Sequence, residues 1–170
     1  MKNKYLFFRF DDQNYELHND LNYSMILQEY QVEQFSPTIL SFKQHDANIL
    51  LYIFWFIVTM GKYKIIYLKK DDNIIHYTHI LPKFFKLPFL GKNDLEIGPS
   101  WTKESYRGKG IFPGVINYVI QSFKEKGRKF YIFADIDNIS SQKAIEKARF
   151  YMCGNGYKTD FLGIYKVELI

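Results

Sequence analysis

Two glycines and two cations stand close together in the segment 106–111, which reads YRGKGI. The apolar run before it, 95–102, is typical of a strand, and from Ile111 onward apolar residues recur at helical spacing. Glycine has no Cβ and lets the backbone approach an anion closely, while the first amides of a helix have no partner within the helix and lie at the positive end of its dipole. The segment predicts a phosphate-binding turn to which Arg107 and Lys109 add charge, although a basic, glycine-rich turn is often only a solvated connection.

Two better-known phosphate loops do not fit this segment. The dinucleotide pattern needs three glycines as G-x-G-x-x-G, and Phe112 and Pro113 break that spacing. The Walker pattern needs Gly-Lys followed by Ser or Thr, whereas Lys109 is followed by Gly110.

A second segment, 138–150 or NISSQKAIEKARF, follows a β-rich run at 129–134. Together the two segments resemble the GNAT superfamily of acetyl-CoA-dependent N-acetyltransferases. The first GNAT motif runs Arg or Gln, two residues, Gly, one residue, then Gly or Ala. Arg107, Gly110 and Phe112 occupy these positions, and Phe112 is the departure.

The second GNAT motif begins with Asn, has Ser or Ala three residues later and ends in Gly-Phe after a short helix. Asn138, Ser141 and Phe150 match it, and Arg149 stands in place of the glycine. The resemblance covers roughly residues 62–170.

The resemblance implies an α/β (α+β) fold with a mixed, mainly antiparallel sheet whose central strands splay apart, flanked by helices. We expect one N-acetyltransferase-like domain over residues 1–170, with 1–61 as its poorly patterned N-terminal half. Acetyl-CoA would be the cosubstrate, and the acceptor a primary amine of a small molecule, with an amino sugar or its nucleotide conjugate as a candidate. The residues expected to bind acetyl-CoA are Trp101, Thr102, Arg107, Gly108, Lys109, Gly110, Ile111, Phe112, Asn138 and Ser141.

Direct acyl transfer needs a neutral amine and a hydrogen-bond donor for the developing oxyanion. The resemblance places that donor at a main-chain amide near Trp101 or Thr102. Glu96 is the candidate base, because strand alternation puts it on one face with Ser100 and Thr102 if no bulge intervenes. The alternative is an exposed surface glutamate.

Two histidines are the other candidates for the base. His76 and His79 fall on opposite faces of a predicted strand, so at most one can reach the cleft, and we name His79 beside Glu96. The alternative is that such a strand histidine is partly buried and only packs against its neighbours. Many GNAT members carry a tyrosine general acid seven residues after the motif asparagine; here that position is Ile145, so the acid stays open.

A catalytically silent acyl-CoA-binding or regulatory module is the alternative function. Phe112, Ile145 and Arg149, the three departures from the motifs, favour it.

Composition restricts the remaining classes. Hydrophobic residues make up 47% of the 170 residues and aromatic residues 19%, which excludes a disordered chain. The net charge of +5 comes from scattered cations, so we expect no nucleic-acid partner, and no His, Cys or carboxylate cluster has metal-ligand spacing. The single cysteine, Cys153, excludes an intrachain disulfide, and residues 1–4 lack a secretory pattern. We expect a cytoplasmic protein with no membrane partner and leave a homodimer open.

The remaining elements follow from pattern. We expect an opening strand at 4–10, a hairpin of 62–69 with 73–81, and a bulge at Gly98-Pro99, and we leave 11–45 unassigned. The apolar stretch 49–60 is too short to span a bilayer and predicts a buried helix, capped by Asp46 or Asn48 and stopped by Gly61. Residues 154–156, Gly-Asn-Gly, predict a tight turn that leads to a last strand at 161–168.

Overall fold

The computed structural model describes residues 4–11, 27–36 and 49–170. Their strands are β1 (Lys4–Phe10), β2 (Gln31–Phe35), β3 (Lys64–Lys70), β4 (Asn73–Pro82), β5 (Leu95–Thr102), β6 (Phe130–Asp135), β7 (Tyr151–Lys158) and β8 (Tyr165–Leu169). The helices are α1 (Ile49–Thr59), α2 (Ile111–Phe123) and α3 (Ile139–Lys147), and a short 3-10 turn spans Glu104–Tyr106.

All eight strands belong to one sheet, in the order β2-β3-β4-β5-β6-β1-β7-β8. Every neighbouring pair is antiparallel except β5 and β6, which are parallel and are connected through α2. The predicted mixed, mainly antiparallel α/β fold is therefore confirmed. The opening strand lies where the sequence predicts it, and the sheet places it between β6 and β7.

The sheet has two differently covered faces. On one, which we call the helix face, α2 and α3 bury an aliphatic core that includes Ile66, Val115, Ile116 and Ile132. On the other, the aromatic face, the core is built largely from rings and is covered by α1 and the loop 83–94. This core includes Phe7, Tyr63, Tyr67, Leu87, Leu90 and Tyr131.

The predicted hairpin is formed by β3 and β4. Asp71 and Asp72 at its turn have φ angles of 49° and 61°, the left-handed conformation that two-residue hairpin turns require. The turn places β4 beside β3, and the other edge of β4 pairs with β5, the strand that lines the site.

The predicted bulge in β5 is present and has a consequence for strand parity. Ser100 pairs with Thr78, but Ile97 pairs with Ile80, so Gly98 and Pro99 together lie opposite one residue, His79. The extra residue moves every side chain before it to the other face. The expectation that Glu96 shares a face with Ser100 and Thr102 was wrong, because it assumed an unbroken alternation.

The predicted turn at residues 154–156 was also wrong. Gly154 and Gly156 lie inside β7, and the chain reverses later, where the Thr159 amide donates to the Ile164 carbonyl at 2.9 Å. A Cβ on either glycine would collide with a backbone carbonyl of β8. These glycines therefore permit close approach of two strands, and the turn chemistry read from them does not apply.

Helix α1 ends as predicted, with the Gly61 amide donating to the Phe56 carbonyl at 2.8 Å. It is not fully buried, however: Leu50, Ile53 and Ile57 are 71%, 40% and 66% exposed. A helix packed on one side of a single sheet can bury only one face, so an all-apolar sequence leaves the other face exposed. The predicted caps at positions 46 and 48 lie outside the described residues, among which no helix has the length and apolar character needed to cross a membrane.

Candidate functional site

The two parallel strands of the sheet separate shortly after they meet. They pair only at Leu95 with Phe130 and at Glu96 with Tyr131. Beyond these pairs lies a cleft of about 1100 Å³, lined by the last residues of β5 and β6. Its lining includes Phe112 and Ile145 from the helix face and Phe84 and Tyr165 from the aromatic face, so the cleft connects both sides of the sheet.

The glycine-rich turn forms the helix-face end of the cleft. Gly108 and Gly110 both have φ of 75°, and Gly110 is the N-cap of α2. The first intrahelical bond runs from the Gly114 amide to the Gly110 carbonyl, and no described group accepts from the amides of 108–112. A Cβ on Gly108 would meet no atom within 4 Å, so there is room for a ligand against the backbone. This end suits an anion.

The two basic residues of the turn lie differently with respect to the cleft, since Arg107 lines it and Lys109 does not. The Arg107 amide donates to the Glu104 carbonyl at 3.1 Å and cannot serve a phosphate, while its Nε donates to the Thr102 carbonyl at 3.0 Å. The Lys109 ammonium lies 5.0 Å from the centre of the Tyr106 ring, and Lys109 does not line the cleft. The cradle offered by the backbone therefore begins at Gly108.

Two cations of α3 that were not predicted from the sequence also line the cleft. Lys143 and Lys147 come from α3, four residues apart and so on one side of the helix. The sequence could have indicated these two lysines, because their spacing of four places them on one side of the second-motif helix, which the resemblance puts beside the cofactor.

The amide of Thr102 faces the gap between β5 and β6. The Lys103 amide donates to the carbonyl of Ile75 in β4 at 2.8 Å. Successive amides of a strand point in opposite directions, so the Thr102 amide points away from β4. Of the two candidate amides, those of Trp101 and Thr102, the Thr102 amide is the one that faces the gap. The Trp101 ring lines the cleft on the aromatic face and stacks on Tyr77 at 5.7 Å.

Asn138 is the N-cap of α3. Its Oδ1 accepts from the Ser141 amide at 3.1 Å and from the Ser140 hydroxyl at 3.0 Å. Asn138 and Ser141 also line the cleft. The structure thus shows Asn138 as a helix cap, and it places the same residue at the cleft where the resemblance expects it to bind acetyl-CoA.

The two apolar departures from the motifs occupy different surroundings. Ile145 is 1% exposed and packs in the helix-face core, so this position supplies no proton donor. Phe112 is half-buried, with its ring centre 6.1 Å from that of His76.

Glu96 lies on the aromatic face and lines the cleft while being only 2% exposed. Its Oε2 has no partner among the described residues, and its Oε1 lies so near Gly98 that a Cβ there would be 2.6 Å away. Burial raises the pKa of the Glu96 carboxyl well above its usual range. Glu96 is therefore a buried, unpartnered acid, not a surface residue.

The histidines lie on opposite faces, as the alternation predicts. His76 is on the helix face, where its Nδ1 is 2.8 Å from the Thr102 hydroxyl, and His79 stacks on Tyr63 on the aromatic face at 6.4 Å. Burial lowers the pKa of each histidine to about 4. Neither lines the cleft, so the two predicted catalytic residues, Glu96 and His79, share a face but not the cleft.

The aromatic-face end of the cleft comes from segments far apart in the sequence. The Tyr165 ring lies 4.4 Å from Phe133 and 5.4 Å from Tyr5. Burial, together with the Tyr5 phenol and the Glu96 carboxyl, raises the pKa of Tyr165. No local motif marks these rings, because only the sheet order brings them together. The aromatic residues that line this end are Tyr5, Trp55, Phe84, Trp101, Phe133 and Tyr165.

Metal-ligating side chains are not clustered in the described part of the chain, where no group of three or more His, Cys, Asp or Glu residues could hold an ion. Cys153 is buried in the aromatic-face core, and this burial raises the pKa of its thiol.

Comparison with known proteins gives structural matches only; no family model and no curated protein matches the sequence. One matching structure is a GNAT-family acetyltransferase from Colwellia psychrerythraea, with TM-score 0.57, 14% identity and coverage of 89% of this chain and 53% of that one. A tandem GNAT protein of the clavulanic acid biosynthesis pathway matches with TM-score 0.55, 13% identity and coverage of 89% and 50%. A conserved protein of unknown function from Staphylococcus epidermidis matches with TM-score 0.61, 7% identity and coverage of 91% and 60%. The chain thus spans about half to three fifths of the length of these structures.

Proposed function

Because the chain has the fold of the GNAT superfamily, we propose that it transfers an acetyl group from acetyl-CoA to the primary amine of a small molecule by direct transfer in a ternary complex. The observation that carries this proposal is the cleft at the separation of β5 and β6. One end offers unpaired amides at a helix N-terminus, and the other holds a buried carboxyl. Donor and acceptor could therefore meet from opposite faces of the sheet.

The helix-face end fits coenzyme A. The amides of residues 108–112 suit its pyrophosphate, and the open space at Gly108 lets that group approach. Lys143 and Lys147 add positive charge from α3. The exposed strand amides at the gap, including Thr102, suit an amide-containing pantetheine arm. When bound, acetyl-CoA supplies a thioester whose carbonyl carbon accepts the amine.

The protein's part in the reaction is to remove a proton and stabilise charge. The bond that forms joins the amine nitrogen to the acetyl carbon, and the bond that breaks joins that carbon to sulfur. The amine gives up its proton to Glu96, and the Thr102 amide is the donor available to the developing oxyanion.

Glu96 fits the role of base better than His79 does. A group with a raised pKa binds a proton more tightly, whereas His79, with a pKa of about 4, would hold one only weakly. Glu96 also lines the cleft and His79 does not.

The leaving thiolate has no side-chain acid at the position of Ile145, which is buried in the core. A thiol with a pKa near 8.5 leaves tolerably well without one, and the thiolate can take its proton from water. The proposed reaction therefore does not depend on a tyrosine at this position.

A catalytically silent acyl-CoA-binding module is the second candidate, favoured by the buried Ile145 and by Phe112 at a motif position. Both candidates bind acetyl-CoA; only the enzyme turns it over.

The test combines binding with turnover. Acetyl-CoA should raise the melting temperature by mass action, and a panel of primary amines should include members that accelerate thiol release. Stabilisation without amine-dependent release would support the silent module. If acetyl-CoA gives no stabilisation, neither candidate stands.

A further inference from the structure

Two lysines line the aromatic-face end of the cleft and lie close to each other. Lys86 belongs to the loop that covers this face, and Lys158 is the last residue of β7. The Nζ atoms of Lys86 and Lys158 lie 3.8 Å and 3.7 Å from the point that a Cβ on Gly163 would occupy. Two positive charges therefore share one small region at this end of the cleft.

The backbone holds both lysines in place. The Tyr165 amide donates to the Lys86 carbonyl at 3.0 Å, which ties the loop to β8. Lys158 is the direct cross-strand partner of the same Tyr165. The proximity of the two ammonium groups is thus a property of the fold at this position.

Neither ammonium has an anionic partner in the part of the chain that the structure describes, since no carboxylate lies within 4 Å of either one. Aromatic rings contact them instead: Lys86 Nζ is 4.7 Å from the centre of the Phe54 ring, and Lys158 Nζ is 5.9 Å from that of Tyr165. Burial first, and repulsion from Lys158 second, lower the pKa of Lys86. Ring faces orient cations but do not neutralise them, so no described residue supplies this pair with a counter-charge.

We propose that the acceptor carries an anionic group, a carboxylate or a phosphate, at the end remote from its amine, and that this group binds between Lys86 and Lys158 in the same cleft whose other parts receive the amine and acetyl-CoA. This inference rests on the proposed acetyl transfer. The rings of Tyr5, Phe133 and Tyr165 line the space on this face and suit an apolar or planar body between amine and anion. A nucleotide-linked amino sugar meets the requirement through its phosphates, and a free, neutral amino sugar does not.

The first test measures kcat/KM for primary amines in matched sets that share a spacer and end in a carboxylate, a phosphate or a neutral hydroxyl. Lys86→Gln and Lys158→Gln should each lower kcat/KM for the anionic members about tenfold or more, the usual effect of losing one charge-assisted hydrogen bond. The neutral members should be unaffected. Lys83→Gln, an exposed lysine of the same loop that does not line the cleft, is the control and should change nothing. Equal losses for charged and neutral members, or no loss for charged ones, would overturn the proposal. Comparing the carboxylate and phosphate members identifies which anion is preferred.

The second test does not depend on turnover. With coenzyme A saturating, inorganic phosphate or acetate is titrated while tryptophan fluorescence is followed, since Trp55 lines this end. We expect saturable binding that is at least tenfold weaker in the Lys86→Gln, Lys158→Gln double variant and unchanged in Lys83→Gln. Unaltered binding in the double variant overturns the anion site even if acetyl transfer is found. Binding lost in the double variant supports the site even if no amine is acetylated.

Discussion

Glu96 shows how a single buried side chain can combine poor solvation with useful chemistry. Its carboxyl is 2% exposed and has an unpartnered Oε2, and burial raises its pKa. The same dry surroundings disfavour an ammonium ion beside it. A substrate ammonium beside the Glu96 carboxylate is therefore driven to transfer its proton, which gives a neutral acid and a neutral amine. In the proposed reaction this neutral amine would be the nucleophile.

The pH dependence of kcat/KM follows from this shared proton. The reactive state holds one proton between Glu96 and the amine, so wild-type kcat/KM should rise with pH until Glu96 ionises, well above pH 4.5, and stay level up to the pKa of the amine. Glu96→Gln should lower it by about 10²- to 10⁴-fold and leave activity that rises in proportion to the neutral amine. Glu104→Gln, an exposed glutamate, is the control. A Glu96→Gln enzyme with wild-type rates across the range would assign the base to another group.

At the scale of elements, the end of α3 explains one departure from the GNAT motif. Arg149 has φ of 65°, and its amide donates to the Glu146 carbonyl at 2.9 Å, in the left-handed conformation that commonly ends helices at glycine. Arg149→Gly should stabilise the protein by about 1 kcal/mol, the approximate cost of a Cβ in this conformation. Urea denaturation measures the change. Arg149→Ala keeps the Cβ and should give no such gain; equal stabilisation by Ala and Gly would mean that the side chain, and not the backbone conformation, is responsible.

The start of α3 separates capping from ligand binding. Asn138→Ala removes the acceptor for the Ser141 amide and should cost about 1 kcal/mol of stability. Asn138→Asp keeps the cap but places a negative charge in the cleft, so it should retain stability while weakening acetyl-CoA binding, measured by calorimetry. Unchanged acetyl-CoA affinity in both variants would limit Asn138 to its capping role.

For the whole molecule, the two buried histidines predict how stability depends on pH. Each has a folded-state pKa of about 4 against about 6.5 when unfolded, so protonation favours the unfolded chain. Their contribution is complete above pH 6.5 and is lost as the pH falls towards 4, by roughly 3 kcal/mol for each histidine. His79→Phe should therefore reduce the loss of stability over this range. Chemical denaturation at several pH values measures this loss. If the free energy of unfolding of His79→Phe fell with pH as steeply as that of the wild type, His79 would not titrate as its burial requires. The raised pKa of Glu96 changes stability with pH in the opposite direction. Because Glu96 is present in both the wild type and His79→Phe, its effect cancels in the comparison.

The parts of the fold and site that could be predicted from sequence are those encoded locally. Two glycines before the helical pattern of α2 indicate the turn at Gly108. An asparagine before the helical pattern of α3 is typical of a cap, as Asn138 is. The face of Glu96 was mistaken because one extra residue in β5 inverts its parity. Gly154 and Gly156 were mistaken because their sequence does not distinguish a turn from a close strand pair. The aromatic-face end could not be predicted, since its residues meet only through the order of the strands.

The central claim is that the turn from Gly108 to the start of α2 binds the phosphates of acetyl-CoA, and calorimetric titration of two glycine variants tests it most directly. Gly108 and Gly127 have φ of 75° and 76°, and a Cβ on either would meet no atom within 4 Å, but only Gly108 lines the cleft. Valine at either position should impose similar backbone strain. We predict that Gly108→Val weakens acetyl-CoA binding at least tenfold, the loss expected when backbone hydrogen bonds to a charged phosphate are blocked, while Gly127→Val binds it as the wild type does. Equal acetyl-CoA affinity in the two variants would contradict the assignment of this turn as the phosphate site.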